Sequence, residues 1–559
     1  MQRGSRRCII AVAVVLAVSG GTAAAQSGPP GSVLFNSQVN TAVPAGGMIG
    51  GQPAVDAFPQ NAQSEPSVAL DPATGALIAG GNDAIDEPLC SGAGTSSSPG
   101  SCAFAAGVGV SGMYRSSDGG MSWTQPSFTE SPAGAGSCQG HTIHTLPGYC
   151  DQKLESFGDP ALTVGPAMGN NGRFSWSNGS VVYYGNLAFP SSVAFPRITA
   201  PPVLAVSRSM DDGAHWAAPV VASSTTNPVD FNDKDWVSAD ANPSSPFFGN
   251  VYASWTLFKG KPGIPEPIVF SRSTDGGKTW SHAMALTASA DNNAVGFRQD
   301  SFIRTGPDGS IYVFWMGTLK KHFEQLVAIS HDGGASFGKP VPVAAVNPPS
   351  KEPGSSFRHD AYPSVDVNRV SGAIYLTWAN QDEASATTLI EFTESNDGGK
   401  TWSAPITVGG RAGMVNAFFP SVAASPDGHH VFVAWAAQTW KPPGTAPGAG
   451  VVSQFAAYNL RTDGAWSGGH VLSTASGDPD GSSWPQPLQP QFLGDYATAV
   501  SNNSTAWFVW TDTRNAAPCA AVDAFRSGTA PQPNPDLQCS PSGGGSFGNS
   551  DIFAGAVGF

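Results

Sequence analysis

Short runs in which apolar and small polar residues alternate recur along this chain, each closed by Gly, Asp, Asn or Pro. Glu65-Pro66-Ser67-Val68-Ala69-Leu70, Pro363-Ser364-Val365-Asp366-Val367 and Pro420-Ser421-Val422-Ala423-Ala424 are examples, with turn signals after them at Ala73-Thr74-Gly75, Ser371-Gly372 and Pro426-Asp427-Gly428. Alternation of period two between such turns predicts β-strands, because successive strand side chains face opposite sides of a sheet. A second strand rich in Val, Tyr and Trp follows each turn. No segment longer than ten residues carries helical periodicity, so the pattern predicts an all-β chain.

A second pattern, Ser-x-Asp-Gly-Gly-x-x-aromatic, punctuates the first. Its copies lie at Ser116–Trp123, Ser209–Trp216, Ser273–Trp280, Ser330–Phe337 and Ser395–Trp402, with a shortened one at Arg461–Trp466. Their aspartates, Asp118, Asp211, Asp275, Asp332, Asp397 and Asp463, stand 93, 64, 57, 65 and 66 residues apart, the spacing of one four-stranded blade with its loops. The chemistry is that of a hairpin turn: Asp accepts from nearby amides, Gly takes positive φ, and the aromatic covers the turn. These residues are read as structural.

On these six copies the chain resembles the Asp-box, or bacterial neuraminidase repeat, propellers of the sialidase superfamily. The resemblance implies an all-β propeller of four-stranded antiparallel blades. Seven inner strands begin near Glu65, Asp159, Asp235, Asp300, Tyr362, Phe419 and Asp495, which favours seven blades over six. The last blade has strands at Thr505–Trp510 and Asp551–Val557 and then runs out of chain, so Ser32–Asn40 is expected to supply its fourth strand and close the ring.

The ends and the cysteines bear on location. Arg3, Arg6 and Arg7, an apolar run Ile9–Val18 and Ala23-Ala24-Ala25 form a secretory signal pattern, with cleavage expected after residue 25. The mature chain, 26–559, is then expected to be one exported propeller domain, secreted or periplasmic, with no membrane span and acting as a monomer. Cys90 and Cys102, Cys138 and Cys150, and Cys519 and Cys539 form three close pairs suited to disulfides in an oxidising compartment. With 27 basic against 41 acidic residues, nucleic acid is excluded as a partner.

If strand A of every blade starts at one face, the B–C and D–A loops share that face and the boxes lie on the other. The cysteine pairs fall in loops of the first face. The starts of the A strands form a ring there, five of whose seven members are acidic. Such a ring suits paired carboxyl chemistry on glycosidic bonds, a Ca²⁺ site, or plain bonding to neighbouring amides. Arg298, Arg358 and Arg514 are cations near these acids.

The sialidase resemblance implies that these three arginines bind a substrate carboxylate, that Tyr362 or Tyr496 with Glu65 forms the nucleophile pair, and that Asp235 or Asp300 is the general acid. An Arg-Ile-Pro near the first inner strand is missing; Arg197-Ile198-Thr199 is the nearest string. The leading expectation is a sialidase-like glycoside hydrolase acting on a carbohydrate or glycoprotein through an axial funnel. The alternatives are a non-catalytic binding propeller and a polysaccharide lyase using Tyr362, His359 and Arg358. His141 and His144 are weighed as metal ligands, and Asp478-Pro479-Asp480-Gly481 is read as a turn.

Overall fold

The computed structural model describes residues 30–41, 48–49, 52–53, 62–86, 108–129, 142–190, 202–223, 227, 229–259, 266–286, 297–349, 357–385, 387–410, 416–439, 453–483, 491–531, 533 and 550–559. Seven antiparallel sheets follow one another around a common axis as the blades of a propeller. The inner strands, in chain order, are Gln63–Leu70, Ala161–Met168, Asp230–Ala239, Arg298–Thr305, Ser364–Val367, Asn416–Ala424 and Thr498–Ser501. Each runs outward through a meander, as in the third blade, Asp230–Ala239, Val251–Lys259, Ile268–Ser273 and Met284–Ala285.

Val33–Gln38 pairs antiparallel with Asp551–Gly558, so the seventh blade takes its outermost strand from the start of the chain. The closure is polar as well as apolar. Asp551 accepts from Asn40 Nδ2 at 2.8 Å and from Asn515 Nδ2 at 2.7 Å, joining both ends of the chain to one buried carboxyl. Phe35 packs with Leu77, Tyr114, Trp507 and Ile552.

Two recurring devices hold neighbouring blades together. Trp255, Trp315, Trp378, Trp435 and Trp510 occupy the second strands of the third to seventh blades and are all but fully buried. Trp435 lies so close to Gly409 of the preceding blade that a Cβ there would come within 2.8 Å of its ring. The second device is the Pro-Ser of the inner strands. The Ser67 hydroxyl accepts from Leu162 N (3.1 Å), Ser364 from Val422 N (3.2 Å), Ser421 from Ala499 N (2.8 Å), and Thr498 from Val68 N (2.8 Å). Each is a bond from one blade to the next, which satisfies inner-strand amides left without a ladder partner.

In the C–D turns the Asp side chain organises the backbone. Asp275 Oδ1 accepts from Lys278 N and Thr279 N, both at 3.0 Å, and Oδ2 from Thr279 Oγ1 at 2.6 Å. Gly276 and Gly277 take φ of 74° and 76°. The shortened copy differs: Asp463 has φ 48° and its carboxylate meets His429 Nδ1.

Among the described residues there is one α-helix, Ala520–Arg526, in the B–C loop of the seventh blade, too short for its periodicity to register in the sequence. Cys150 and Cys519 are disulfide-bonded; Cys90, Cys102, Cys138 and Cys539 lie outside the described residues, as do residues 1–25 and His141. Among the described residues no helix is long and apolar enough to cross a membrane.

Candidate functional site

The ring at the start of the inner strands is made by β-bulges. Pairing with the second strand shifts between Ser64 and Ser67, Asp233 and Trp236, Gln299 and Phe302, and Phe418 and Ser421. The bulged residues Glu65, Lys234, Asp300 and Phe419 have φ of 54°, 44°, 58° and 50°, and Asp159 has 54°. A non-glycine residue held there costs about 1–3 kcal/mol and persists only when its surroundings impose it. The bulge aims one side chain per blade at the axis.

In the third blade that residue is Lys234, one position before the expected Asp235. A one-residue slip turns a side chain to the other face of its sheet. Asp235 therefore points between blades, against Gly185, whose Cβ would lie 2.8 Å from Oδ2. Neither of its carboxyl oxygens has a hydrogen-bond partner, and burial pushes its pKa well above the carboxylate range. It is a buried acid in a blade interface.

Four carboxyl groups, Asp159, Asp233, Asp360 and Asp495, are half-buried at the axial rim, and Arg358 is exposed among them. Asp159 lies close enough to both Glu65 and Asp233 to raise them. Burial first, then the charge of Asp159, raises Glu65 and Asp233 well above the usual range. Asp159 itself also accepts from Lys234 N at 3.1 Å, and Glu65 from Asn82 Nδ2 at 2.8 Å.

Asp495 has a different partner. Arg358 grips it with two parallel bonds, Nε to Oδ1 at 2.7 Å and Nη2 to Oδ2 at 2.6 Å. Burial raises the Asp495 carboxyl, and Arg358 offsets only part of that rise. A guanidinium keeps its proton, so this two-pronged bond favours the carboxylate form of Asp495 over its acid.

Beneath the rim lies a floor of Lys234, Asp300, Tyr362 and Tyr496. Lys234 Nζ is 3.7 Å from Asp300 and 3.5 Å from the centre of the Tyr496 ring. Burial lifts Asp300 to about 7 against the pull of Lys234. Burial likewise keeps the phenols of Tyr362 and Tyr496 neutral, and Tyr496 donates to Pro160 O at 3.2 Å. The cavity enclosed between floor and rim is about 20 Å³, the size of one water.

The other named residues are elsewhere. Arg298 is buried and donates to Glu266 O at 3.2 Å. Arg514 forms two bonds to Asp512, at 2.9 and 2.7 Å, and lies 3.9 Å over the Phe553 ring. The three arginines thus have three separate partners, and only Arg358 stands at the rim. His359 is buried against Phe357 and Phe418, and His144 meets Asp86 through both its amide and Nδ1. Pro479–Gly481 forms a single 3₁₀ turn in which the Asp478 side chain accepts from Asp480 N. Among the described residues no three His, Cys, Asp or Glu side chains are grouped to hold a metal ion.

Asp233 is the rim residue that sequence reasoning passed over. Its signal was the triplet Asp233-Lys234-Asp235, three charged residues where a strand in this chain otherwise alternates.

No family model matches the chain, and no curated protein does. Solved structures similar to it include a protein of unknown function from Dyadobacter fermentans, at 15% identity, covering 73% of this chain and 95% of that one with a TM-score of 0.39. A Hadza microbial sialidase shares 13% identity over 67% of each chain, with a TM-score of 0.39. An α-L-arabinofuranosidase of Fusarium graminearum, solved with arabinobiose, shares 13% over 74% of this chain and 97% of its own, with a TM-score of 0.41. At these identities the likeness is one of fold alone.

Proposed function

We propose that the protein is an exported glycoside hydrolase whose site is the axial rim. Glu65 and Asp233 are its carboxylic acids and Asp495 its carboxylate. The observation that carries this reading is the gathering of carboxyl groups at one mouth in unlike surroundings, Glu65 and Asp233 raised well above the usual range by burial and Asp159, and Asp495 gripped by two bonds from Arg358. Glycosidic cleavage needs that division of labour: an acid to protonate the departing oxygen and a carboxylate to face the anomeric carbon or its attacking water.

Asp233 is half-exposed and Glu65 buried, so Asp233 is the acid that meets substrate and Glu65 with Asp159 sets its proton. Both donors of Arg358 that face inward are spent on Asp495, and the surrounding carboxylates repel an anion. A neutral glycan therefore suits this rim better than a sialic acid. A binding propeller is the second reading, favoured by the single-water cavity, which leaves a ligand to lie across the surface.

The test is release of sugar from a panel of chromogenic glycosides and polysaccharides by the purified protein and by Asp233→Asn. Turnover lost in the variant supports the hydrolase. A folded protein that turns over nothing yet retains a glycan on an affinity gel supports the binding propeller instead.

A further inference from the structure

The axis has a second opening on the face of the turns, and it is wider than the first. A cavity of about 300 Å³ is lined there by the ends of the inner strands of all seven blades, against about 20 Å³ under the rim. Its charged lining consists of Asp71, Arg304, Asp366 and Arg369, so its formal charge cancels, yet the four groups are not equally available.

Both carboxylates are occupied by protein donors. Asp366 accepts from Val367 N at 3.0 Å and from Ala424 N at 2.8 Å, and Asp71 from Ala73 N at 2.7 Å and from the Ser180 hydroxyl. The guanidiniums are less engaged. Arg304 lies 4.4 Å over the Phe302 ring, gives Nη1 to Ile303 O at 3.0 Å, and reaches Asp366 only through a long Nε contact of 3.4 Å. Arg369 is exposed at the wall of the same cavity and close enough to repel Arg304. The Ser501 hydroxyl, also in the lining, is buried and has no hydrogen-bond partner. The well therefore presents guanidinium N–H donors beside two carboxylates that already accept from protein groups.

Ala241, Asn242 and Arg369 also line an adjoining cavity with Trp176, Pro72 and Pro243. Trp176 is half-buried, which leaves part of an aromatic face next to Arg369. An aromatic face beside arginine forks recognises a flat polar ring that bears a carboxylate, and the volume is that of a small-ligand site.

We infer that the turn face carries a second site, distinct from the acidic rim, which binds the carboxylate of an acidic sugar through Arg304 and Arg369 with the ring against Trp176. The two ends of the axis then take ligands of different charge, a neutral glycan at one, which rests on the function proposed above, and an anionic uronate at the other.

Isothermal titration with digalacturonate tests this, with its methyl ester as the uncharged control. The expected result is binding that weakens at least tenfold in Arg369→Gln, whose exposed side chain the fold does not need, and at least tenfold for the ester. Trp176→Ala should weaken it too, while Arg358→Ala at the opposite end should leave it unchanged. No binding by the wild type, equal binding by Arg369→Gln, equal binding of the ester, or loss in Arg358→Ala would each overturn the inference.

Discussion

Arg358 and Asp495 meet in a two-pronged ion pair at the axial rim, although 137 positions separate them in the chain. A fork of this kind fixes orientation as well as charge, and a lysine cannot reproduce it. Arg358→Ala is expected to lower kcat on the hydrolysed glycan by about 100-fold or more, the scale of losing one preorganised electrostatic group. Arg358→Lys should recover only part of that. Steady-state kinetics of the two variants checks the order.

Stability is expected to fall as the solution becomes alkaline. Glu65, Asp233, Asp235, Asp300 and Asp551 hold protons more tightly folded than unfolded, mainly because of burial. Their contribution is complete below the ordinary carboxylate range and is lost as pH rises through the folded values, about 7 for Asp300 and about 6 for Asp551. The turn aspartates Asp332 and Asp397 are held low by bonds from Ser336 and Thr401 and act in the opposite sense, losing their contribution in stronger acid. Urea midpoints should be higher at pH 5 than at pH 8. Asp235→Asn should narrow that gap by about 1–3 kcal/mol, since it removes a buried carboxyl with no partner.

Ring closure should be indispensable. Removing residues up to Gln38 strips the outer strand from Asp551–Gly558 and takes away the bond that Gln38 Nε2 donates to Asp551 at 2.9 Å. The bared edge is a template for pairing between molecules. Size-exclusion chromatography of the truncated protein is expected to show aggregates where the full mature chain runs as a single species.

The turn aspartates should matter to stability and not to chemistry. Asp275→Ala abandons the amides of Lys278 and Thr279 and the hydroxyls of Thr279 and Ser273. A loss of about 1–2 kcal/mol in urea unfolding is expected, with kcat/KM unchanged.

The propeller was legible in the sequence because its marks recur from blade to blade: Pro-Ser at three inner strands, a Trp in the second strand of five blades, Asp and Gly in six turns. Counting the starts of inner strands reached seven, and the unassigned Ser32–Asn40 was the piece needed to complete the last blade. The site was less legible, because its geometry depends on where each bulge falls. An extra residue is invisible to alternation, so the ring position of the third blade was placed on Asp235 when the bulge puts Lys234 there. Proximity along the chain also misled. Arg298 and Arg514 have acidic neighbours in sequence, but each is bound to its own partner, Glu266 or Asp512.

The most direct test of the account is the pH profile of sugar release by wild type, Asp233→Asn and Asp495→Asn on whichever glycoside the wild type cleaves. An acid at Asp233 and a carboxylate at Asp495 predict a bell-shaped profile for the wild type. Both variants should lose about 100-fold or more in kcat, and external azide should restore only Asp495→Asn. Undiminished turnover in either variant, or a wild-type rate still climbing above pH 9, would contradict the assignment of the rim as the catalytic site.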